Sequence, residues 1–167
     1  NVNSIDKNQV NKIENVISFI EDIRSTKSDF NLLSGGKTDL LVVDLEAKQY
    51  SYIKENEKII CKLARLLEIK QVQRKPENVL AISGGKVEAF VSVQSDFNLE
   101  REKERVNATL KKLESENIKL SEKLNNKNFR DKAPKNVIEK FESDHEDLKS
   151  KLNKQKSLLK GLEKINN

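Results

Sequence analysis

Apolar residues recur at alternating intervals of four and three residues through most of the last 70 residues of the chain. One run extends from Leu99 to Leu124, and a second extends from Val137 to Leu162. This spacing is typical of helices that pack along a narrow apolar seam, as in a coiled coil. The pattern therefore predicts two long helices, separated by a charged turn at about residues 125–136.

The two runs match each other when the second is folded back on the first. In one antiparallel alignment, the seam positions of the first run face those of the second. The facing pairs are Leu124 with Val137, Leu113 with Leu148, Leu110 with Leu152, Lys103 with Leu159, and Asn117 with His145. A polar layer such as the last lowers stability but can fix the alignment of two helices. We predict an antiparallel coiled-coil hairpin within one chain, and hence a monomer, in preference to a dimeric zipper.

The ends of the two predicted helices carry suitable residues. Asn98 fits the N-cap of the first, because its side-chain oxygen can accept a hydrogen bond from a free amide of the first turn. Pro134 fits the first turn of the second, where its missing N–H removes no helical hydrogen bond. These residues predict where both helices begin.

The first 97 residues have a mixed pattern. An amphipathic helix is predicted from apolar residues at helical intervals: Val10, Ile13, Ile17, Ile20 and Ile23, or neighbouring Val16. Leu40–Leu45 predicts a strand. A second helix is predicted at about residues 49–68, with an inner face formed by Tyr52, Ile59, Ile60, Leu63, Leu66 and Leu67.

The expected fold class is α+β and mainly α. β-prone runs flank Gly84 and Gly85, and paired glycines supply the positive φ angles of a tight hairpin turn. We predict a small junction domain in residues 1–97, made of helix, strand, helix and β-hairpin. A coiled-coil arm follows in residues 98–167.

The tetrapeptide SGGK occurs twice, at residues 34–37 and 83–86. A phosphate-binding loop needs the longer pattern GxxxxGK followed by Ser or Thr, opening a helix. Neither copy has that pattern, and the second leads into a predicted strand. Both copies are interpreted as turns.

The net charge of +5 is unevenly distributed. Residues 1–97 hold 14 basic and 14 acidic side chains, whereas residues 98–167 hold 18 basic and 13 acidic ones. Any partner attracted by charge is therefore expected to meet the C-terminal part.

The sequence offers little for catalysis or metal binding. Cys61 is the single cysteine, which excludes an internal disulfide and a thiolate zinc site, and its apolar neighbours predict a buried, inert thiol. His145 is the single histidine and is assigned to the helix seam. We find no nucleophile with a base, no paired carboxylates in an apolar setting and no nucleotide fingerprint. No cofactor and no catalytic residue are expected within these residues.

Other features bear on the setting of the chain. No apolar run approaches the roughly 20 residues that a membrane span needs, and nothing resembles a signal peptide. The chain begins with Asn and contains no Met, so we expect a piece of a longer cytoplasmic protein.

Basic residues cluster in the predicted turn between the long helices. Lys127, Arg130, Lys132 and Lys135 surround a single acid, Asp131. Six lysines also line the second helix: Lys149, Lys151, Lys154, Lys156, Lys160 and Lys164. A solvated surface explains the helix lysines as well as a ligand does, whereas the turn cluster favours an anionic partner.

Three stretches resemble the C-terminal region of bacterial valyl-tRNA synthetase, a class I aminoacyl-tRNA synthetase. IRSTKSD, residues 23–29, is similar to the family's IRS-x-R-SE segment, with Lys27 and Asp29 replacing its Arg and Glu. GGKVEAFVSV leads into a helix with Asn98, where the family usually has Asp. NKNFRDKAPKNVIEK, residues 126–140, is similar to the family turn N-x-x-F-x-x-KAP-x-x-V, and matches it at Asn126, Phe129, Lys132, Ala133, Pro134 and Val137.

The resemblance implies a role in binding tRNA. In that family an ATP- and Mg-dependent enzyme joins valine to its tRNA, and the C-terminal arm packs against the outer corner of that tRNA. The family's HIGH and KMSKS signatures, its editing domain and most of its anticodon-binding bundle are absent, so this chain is not expected to aminoacylate. The catalytic and anticodon-binding domains would be its partners within the parent chain.

The hypothesis for tRNA contacts covers both ends of the arm. It comprises Lys127, Phe129, Arg130, Lys132, Lys135, Arg101, Arg105, Lys111 and Lys112. Phe129 could stack on an unpaired base, although packing over the turn is the simpler interpretation. Contacts from the basic residues would position RNA without reading its sequence. The alternative is a coiled-coil tether for another protein, with no nucleic-acid role.

Overall fold

The computed structural model describes residues 7–33, 36–84, 87–93 and 97–165. The chain divides into two compact units, Asn1–Phe97 with Lys164–Asn167, and Asn98–Glu163. The fold is α+β and mainly α, as the sequence predicts, with a small sheet in the first unit and long helices in the second.

The first unit begins with helix α1, Lys7–Asp29. Its buried face includes Val16, Phe19, Ile20 and Ile23, so the predicted amphipathic helix is confirmed. The predicted apolar face is wrong for Ile13 and Ile17, which are 60% and 50% exposed.

A four-stranded mixed sheet lies in the same unit. Its strands are β1 (Thr38–Val43), β2 (Leu66–Val72), β3 (Val79–Ala81) and β4 (Ala89–Ser92), in the order β2-β1-β4-β3. β1 pairs parallel to β2 and antiparallel to β4, which in turn pairs antiparallel to β3. A 3-10 turn, Lys48–Tyr50, and helices α2 (Ser51–Glu55) and α3 (Glu57–Leu63) connect β1 to β2, as parallel strands require a crossover.

The predicted helix at about residues 49–68 is wrong at its C-terminal end. Arg65 has a φ of 53°, and this left-handed conformation ends α3 as helices commonly end. Leu66 then enters strand β2 with only 1% exposure, whereas Leu67 on the opposite face is 63% exposed. The predicted inner face is also wrong for Ile59 and Leu63, which are half exposed.

The predicted β-hairpin is present, but its turn is not tight. Residues 82–88 separate β3 from β4, and Ser83 N–H donates to Thr26 Oγ1 of α1 at 2.9 Å. Gly84 has a φ of 128°, and a Cβ there would collide with the Asp22 carboxylate. Glycine is favoured here mainly by the positive φ, since the Asp22 side chain could move away from a Cβ. Gly85 and the Ser34–Gly35 pair of the other SGGK copy lie outside the described residues.

The second unit is built on two long helices, α4 (Leu99–Asn125) and α6 (Lys135–Glu163), which pack against each other. Their lengths of 27 and 29 residues correspond to roughly 40 Å each. Their buried residues include Val106, Leu110, Leu148 and Leu152. The predicted pairing of two helices within one chain is therefore confirmed.

Asn98 caps α4 as predicted. Its Oδ1 accepts a hydrogen bond from Arg101 N–H at 2.9 Å, and its carbonyl accepts from Glu102 N–H at 3.1 Å. Asn98→Ala is expected to lower the free energy of unfolding of the helix pair by about 1 kcal/mol, because one helical amide loses its acceptor. Urea unfolding followed by circular dichroism at 222 nm measures this, and Asn98→Asp, which keeps an acceptor, is the control. An equal loss in both variants would contradict a capping role.

The register of the helix pair differs from the predicted one. Lys156 Nζ lies 3.7 Å from Glu114 Oε1, whereas the predicted alignment puts Asp147 level with Glu114. From Asp147 to Lys156 the helix rises roughly 13 Å, which is too far for this ion pair once the gap between the helices is added. α6 is therefore displaced along α4 in the direction that brings Lys156 closer to the level of Glu114.

One predicted seam assignment is also wrong. Leu158 is buried, whereas Leu159 is only half-buried; a straight helix drifts by about 20° per heptad relative to a strict seven-residue repeat. Asn117 and His145 are both half-buried, and Asn117 Oδ1 has no hydrogen-bond partner among the described residues; that the two residues face each other stays a prediction. Gln155 Oε1 is likewise buried without such a partner. The seam thus contains two acceptors whose hydrogen bonding is incomplete.

Candidate nucleic-acid interface

The predicted turn between the long helices contains a short helix, α5 (Lys127–Lys132). Asn126 closes α4 and caps α5, since its Oδ1 accepts from Phe129 N–H at 3.3 Å. Pro134 leads into α6 as predicted, and its carbonyl accepts from the N–H groups of Val137 and Ile138 at 3.0 and 3.2 Å. Helical hydrogen bonds and caps therefore order the backbone of this tip, residues 125–136.

Two phenylalanines and one lysine pack together at the tip. The rings of Phe129 and Phe141 meet edge to face with centroids 5.5 Å apart. Lys123 Nζ lies 5.1 Å from the Phe129 centroid and 4.1 Å from the Phe141 centroid, within the range of cation–π attraction. This geometry supports the packing role for Phe129, which is half-buried.

The four basic residues predicted at the tip differ in their surroundings. Arg130 bonds to the Glu142 carboxylate at 2.6 Å, and Lys135 lies 3.6 Å from Glu139. Lys127 and Lys132 are exposed and have no ion-pair partner among the described residues. The latter two can therefore meet an external anion without breaking an internal pair.

The four basic residues predicted on α4 are all exposed. Arg105 Nε donates to Glu102 Oε1 at 2.8 Å, and the Glu102 side chain is itself buried. The side chains of Arg101, Lys111 and Lys112 have no ion-pair partner in the described part of the chain. Arg105 is therefore tied to its own helix, whereas the others are available.

Half of the six lysines on the second helix already interact within the chain. Lys149 bonds to Glu146 at 2.8 Å and Lys156 lies near Glu114 at 3.7 Å, and Lys154 also has an interaction partner. The Lys149 ammonium lowers the pKa of the Glu146 carboxyl. Lys151 and Lys160, by contrast, are exposed without an ion-pair partner among the described residues.

Lys27, one of the two departures from the family segment, lies in the interior of the first unit. It is 1% exposed, and its Nζ donates to the carbonyls of Ala64 at 3.3 Å and Arg65 at 2.7 Å. Burial, together with the nearby Arg65 guanidinium, lowers the pKa of Lys27. Lys27 thus joins the end of α1 to the end of α3 and is not placed to contact RNA.

The described residues show no obvious reaction centre. They contain no group of three or more His, Cys, Asp or Glu side chains suited to a metal ion. Cys61 is half-buried, which differs from the predicted burial, and desolvation raises the pKa of its thiol. None of their helices is long and apolar enough to cross a membrane.

Two further basic residues of α4 were not among the predicted contacts. Lys123 contacts the tip rings, and Lys119 is exposed without an ion-pair partner in the described ranges. Lys119 stands seven residues after Lys112 and thus on the same side of the helix. That spacing was the signal available for Lys119, whereas nothing local indicated the ring contacts of Lys123.

Comparisons with known proteins agree on one family. Residues 98–166 match the family described as "Valyl tRNA synthetase tRNA binding arm". The valine–tRNA ligase of Pelagibacter ubique is 29% identical over 154 residues, or 92% of this chain. Those of Thermotoga maritima and Petrotoga mobilis are 27% and 30% identical over 96% and 87% of the chain. In all three, the matched region is 17% of the ligase.

The matched region covers both units, since the similarity to the ligases extends well beyond the arm. The resemblance seen in the sequence is thereby confirmed: residues 98–166 are similar to the valyl-tRNA synthetase tRNA-binding arm, and most of the chain is similar to part of several valine–tRNA ligases.

Proposed function

We propose that this chain is a non-catalytic, tRNA-binding part of a valine–tRNA ligase, and that its helix pair binds the outer corner of the valine tRNA. The observation that carries this proposal is the exposed pair Lys127 and Lys132, at the tip of an arm whose relatives are described as binding tRNA. Neither lysine would have to leave an internal ion pair to bind a phosphate.

The chemistry of the interface favours recognition by shape and charge. Tip lysines can neutralise phosphates, and such contacts position RNA without reading bases. Phe129 is largely engaged with Phe141 and Lys123, so base stacking is a minor contribution in this proposal. Identity for valine would be decided in other domains of the ligase.

The proposal places catalysis outside this chain. Attachment of valine to tRNA, with the ATP and Mg²⁺ that it uses, would belong to the rest of a ligase that is about six times longer. The chain would act as a monomer in the cytoplasm, and sedimentation velocity tests its oligomeric state.

Titration of a labelled valine-tRNA transcript with this chain at two salt concentrations tests the proposal. Affinity is expected to fall steeply with salt, because each neutralised phosphate contributes about 0.7 to 0.9 to the slope of log K against log salt. The variant Lys127→Glu with Lys132→Glu is expected to bind at least about tenfold more weakly, with a slope lower by about 2. Its melting temperature should change little, since neither side chain is buried.

A matched control changes the same charge elsewhere. Lys58→Glu with Lys62→Glu alters two exposed lysines of α3 in the first unit, and it should affect binding far less. Salt-independent affinity, or equal losses in the two double variants, would argue against a tip that holds tRNA.

A further inference from the structure

One side of α4 carries a row of cations that faces away from the helix seam. Successive residues of an α-helix are rotated by about 100°, so Arg101, Lys112 and Lys119 point within roughly 20° of each other. The buried residues Val106 and Leu110 point more than about 120° away from that direction. The row spans 18 residues, a rise of roughly 27 Å.

The members of this row are available for an external partner. Arg101, Lys112 and Lys119 are exposed, and their side chains have no ion-pair partner among the residues that the structure describes. Glu116 is the acid nearest to the row in angle, and no ion pair joins it to Lys112 or Lys119. Arg105 lies at the edge of the row and is held by Glu102.

The outward side of α6 differs in charge. The positions that point away from its seam include Ser143, Ser150 and Ser157, which are exposed and uncharged. Its lysines stand closer to the flanks, where Lys149 and Lys156 are paired with carboxylates. On the sides that face away from the seam, α4 thus presents a row of three unpaired cations among the described residues, whereas α6 presents Ser143, Ser150 and Ser157.

We propose that the outward face of α4, formed by Arg101, Lys112 and Lys119, is the side of the arm that lies along the sugar–phosphate backbone of the bound RNA. Lys112 and Lys119 stand seven residues apart, a rise of roughly 10 Å, so each contacts a different phosphate. The side of the arm, and not only its tip, then fixes how RNA is oriented. This inference rests on the proposed function.

Two double variants, each of which removes two positive charges, test the inference in the full 167-residue chain. Lys112→Ala with Lys119→Ala removes two cations from the α4 face, and Lys151→Ala with Lys160→Ala removes two exposed, unpaired lysines from α6. Binding of the valine-tRNA transcript is measured for each over a series of salt concentrations. The α4 variant is expected to lose at least about tenfold in affinity and about 2 in salt slope, and the α6 variant less than about twofold.

The outcomes separate the inference from the proposed function. If the wild-type chain binds with a steep salt slope and the two variants are equally affected, the α4 face is not the contact side while the proposed function stands. If the wild-type chain does not bind the transcript, both fail. Alanine favours helix, so neither double variant is expected to unfold its helix. Circular dichroism checks this, since unchanged helicity shows that both variants are folded.

Discussion

Lys27→Ala is expected to lower the free energy of unfolding of the first unit by about 4 kcal/mol. The substitution removes a long buried side chain, and comparable truncations of buried side chains cost about 2 to 5 kcal/mol because a cavity remains. It also leaves the carbonyls of Ala64 and Arg65 without the donors that now lie 3.3 and 2.7 Å away. Each unsatisfied buried acceptor costs about 1 to 3 kcal/mol.

Two further variants separate the volume of Lys27 from its hydrogen bonds. Lys27→Met fills most of the space but donates nothing, so it should lose about 2 kcal/mol. Lys27→Arg keeps a cation with several donors, and the related family segment has Arg at this position, so it should lose less. Equal stability of the alanine variant and the wild-type chain would contradict a joining role for Lys27.

The pH dependence of this effect has a definite sign. The pKa of Lys27 is lowered in the folded chain from its ordinary value of 10.5. Between the lowered value and 10.5 the unfolded chain holds more protons, so the Lys27 contribution to stability rises with pH across that window. The arginine variant does not titrate there, and the wild-type chain should therefore gain stability relative to it as pH increases.

Tyrosine emission reports on the unit that contains Lys27. Both tyrosines, Tyr50 and Tyr52, lie in the first unit, and the chain contains no Trp. Circular dichroism at 222 nm is dominated by α4 and α6, which belong to the second unit. The Lys27 variants should shift the unfolding midpoint seen by tyrosine emission more than the one seen by circular dichroism.

Local signals predicted the second unit well. The apolar repeat identified α4 and α6, and Asn98 and Pro134 marked their first turns, because caps and first turns depend on neighbouring residues. The apolar repeat could not fix the register, since shifting one helix by about half a heptad again brings apolar positions together. The pair Glu114 and Lys156, which shows the displacement, stands outside the seam.

The first unit was harder to predict because its decisive contacts are distant in sequence. Leu66 and Leu67 continue the apolar pattern of α3, but strand β2 exists because it pairs with β1, about 28 residues earlier. Lys27 reaches carbonyls 37 and 38 residues away. A single sequence gives no sign of either contact.

The sequence predicted which residue types form the candidate interface, but not which of its cations are already paired with an acid of the same chain. The excess of lysine and arginine pointed to the second unit and its tip. Whether a given cation is available depends on acids brought near by folding, such as Glu142 beside Arg130. The structure therefore divides a set of similar residues into paired cations, which stabilise the arm, and available ones such as Lys127 and Lys119.

Asn117→Leu combined with Gln155→Leu is expected to raise the free energy of unfolding of the helix pair by about 3 kcal/mol. Asn117 Oδ1 and Gln155 Oε1 are buried without hydrogen-bond partners within the described chain. Each such acceptor costs about 1 to 3 kcal/mol, and replacing it by an apolar group removes that cost. Urea unfolding followed at 222 nm measures the gain.

The control places the same substitutions on the solvent side. Asn107→Leu with Asn153→Leu changes one exposed residue of each helix, and surface substitutions usually alter stability by no more than about 0.5 kcal/mol. A destabilised seam variant would show that Asn117 and Gln155 support the arm through bonds to water.

The same two substitutions at Asn117 and Gln155 should make the pairing of α4 with α6 less specific. Polar residues in a seam fix register and the number of chains, and a seam with leucine at both positions discriminates less against alignments shifted by half a heptad. The variant is therefore expected to form dimers at high concentration, detectable by sedimentation velocity, while the wild-type chain stays monomeric. A shift of α6 along α4 would have to be absorbed by the tip between them, which carries Lys127 and Lys132, so we expect the variant to bind tRNA less well although it is more stable.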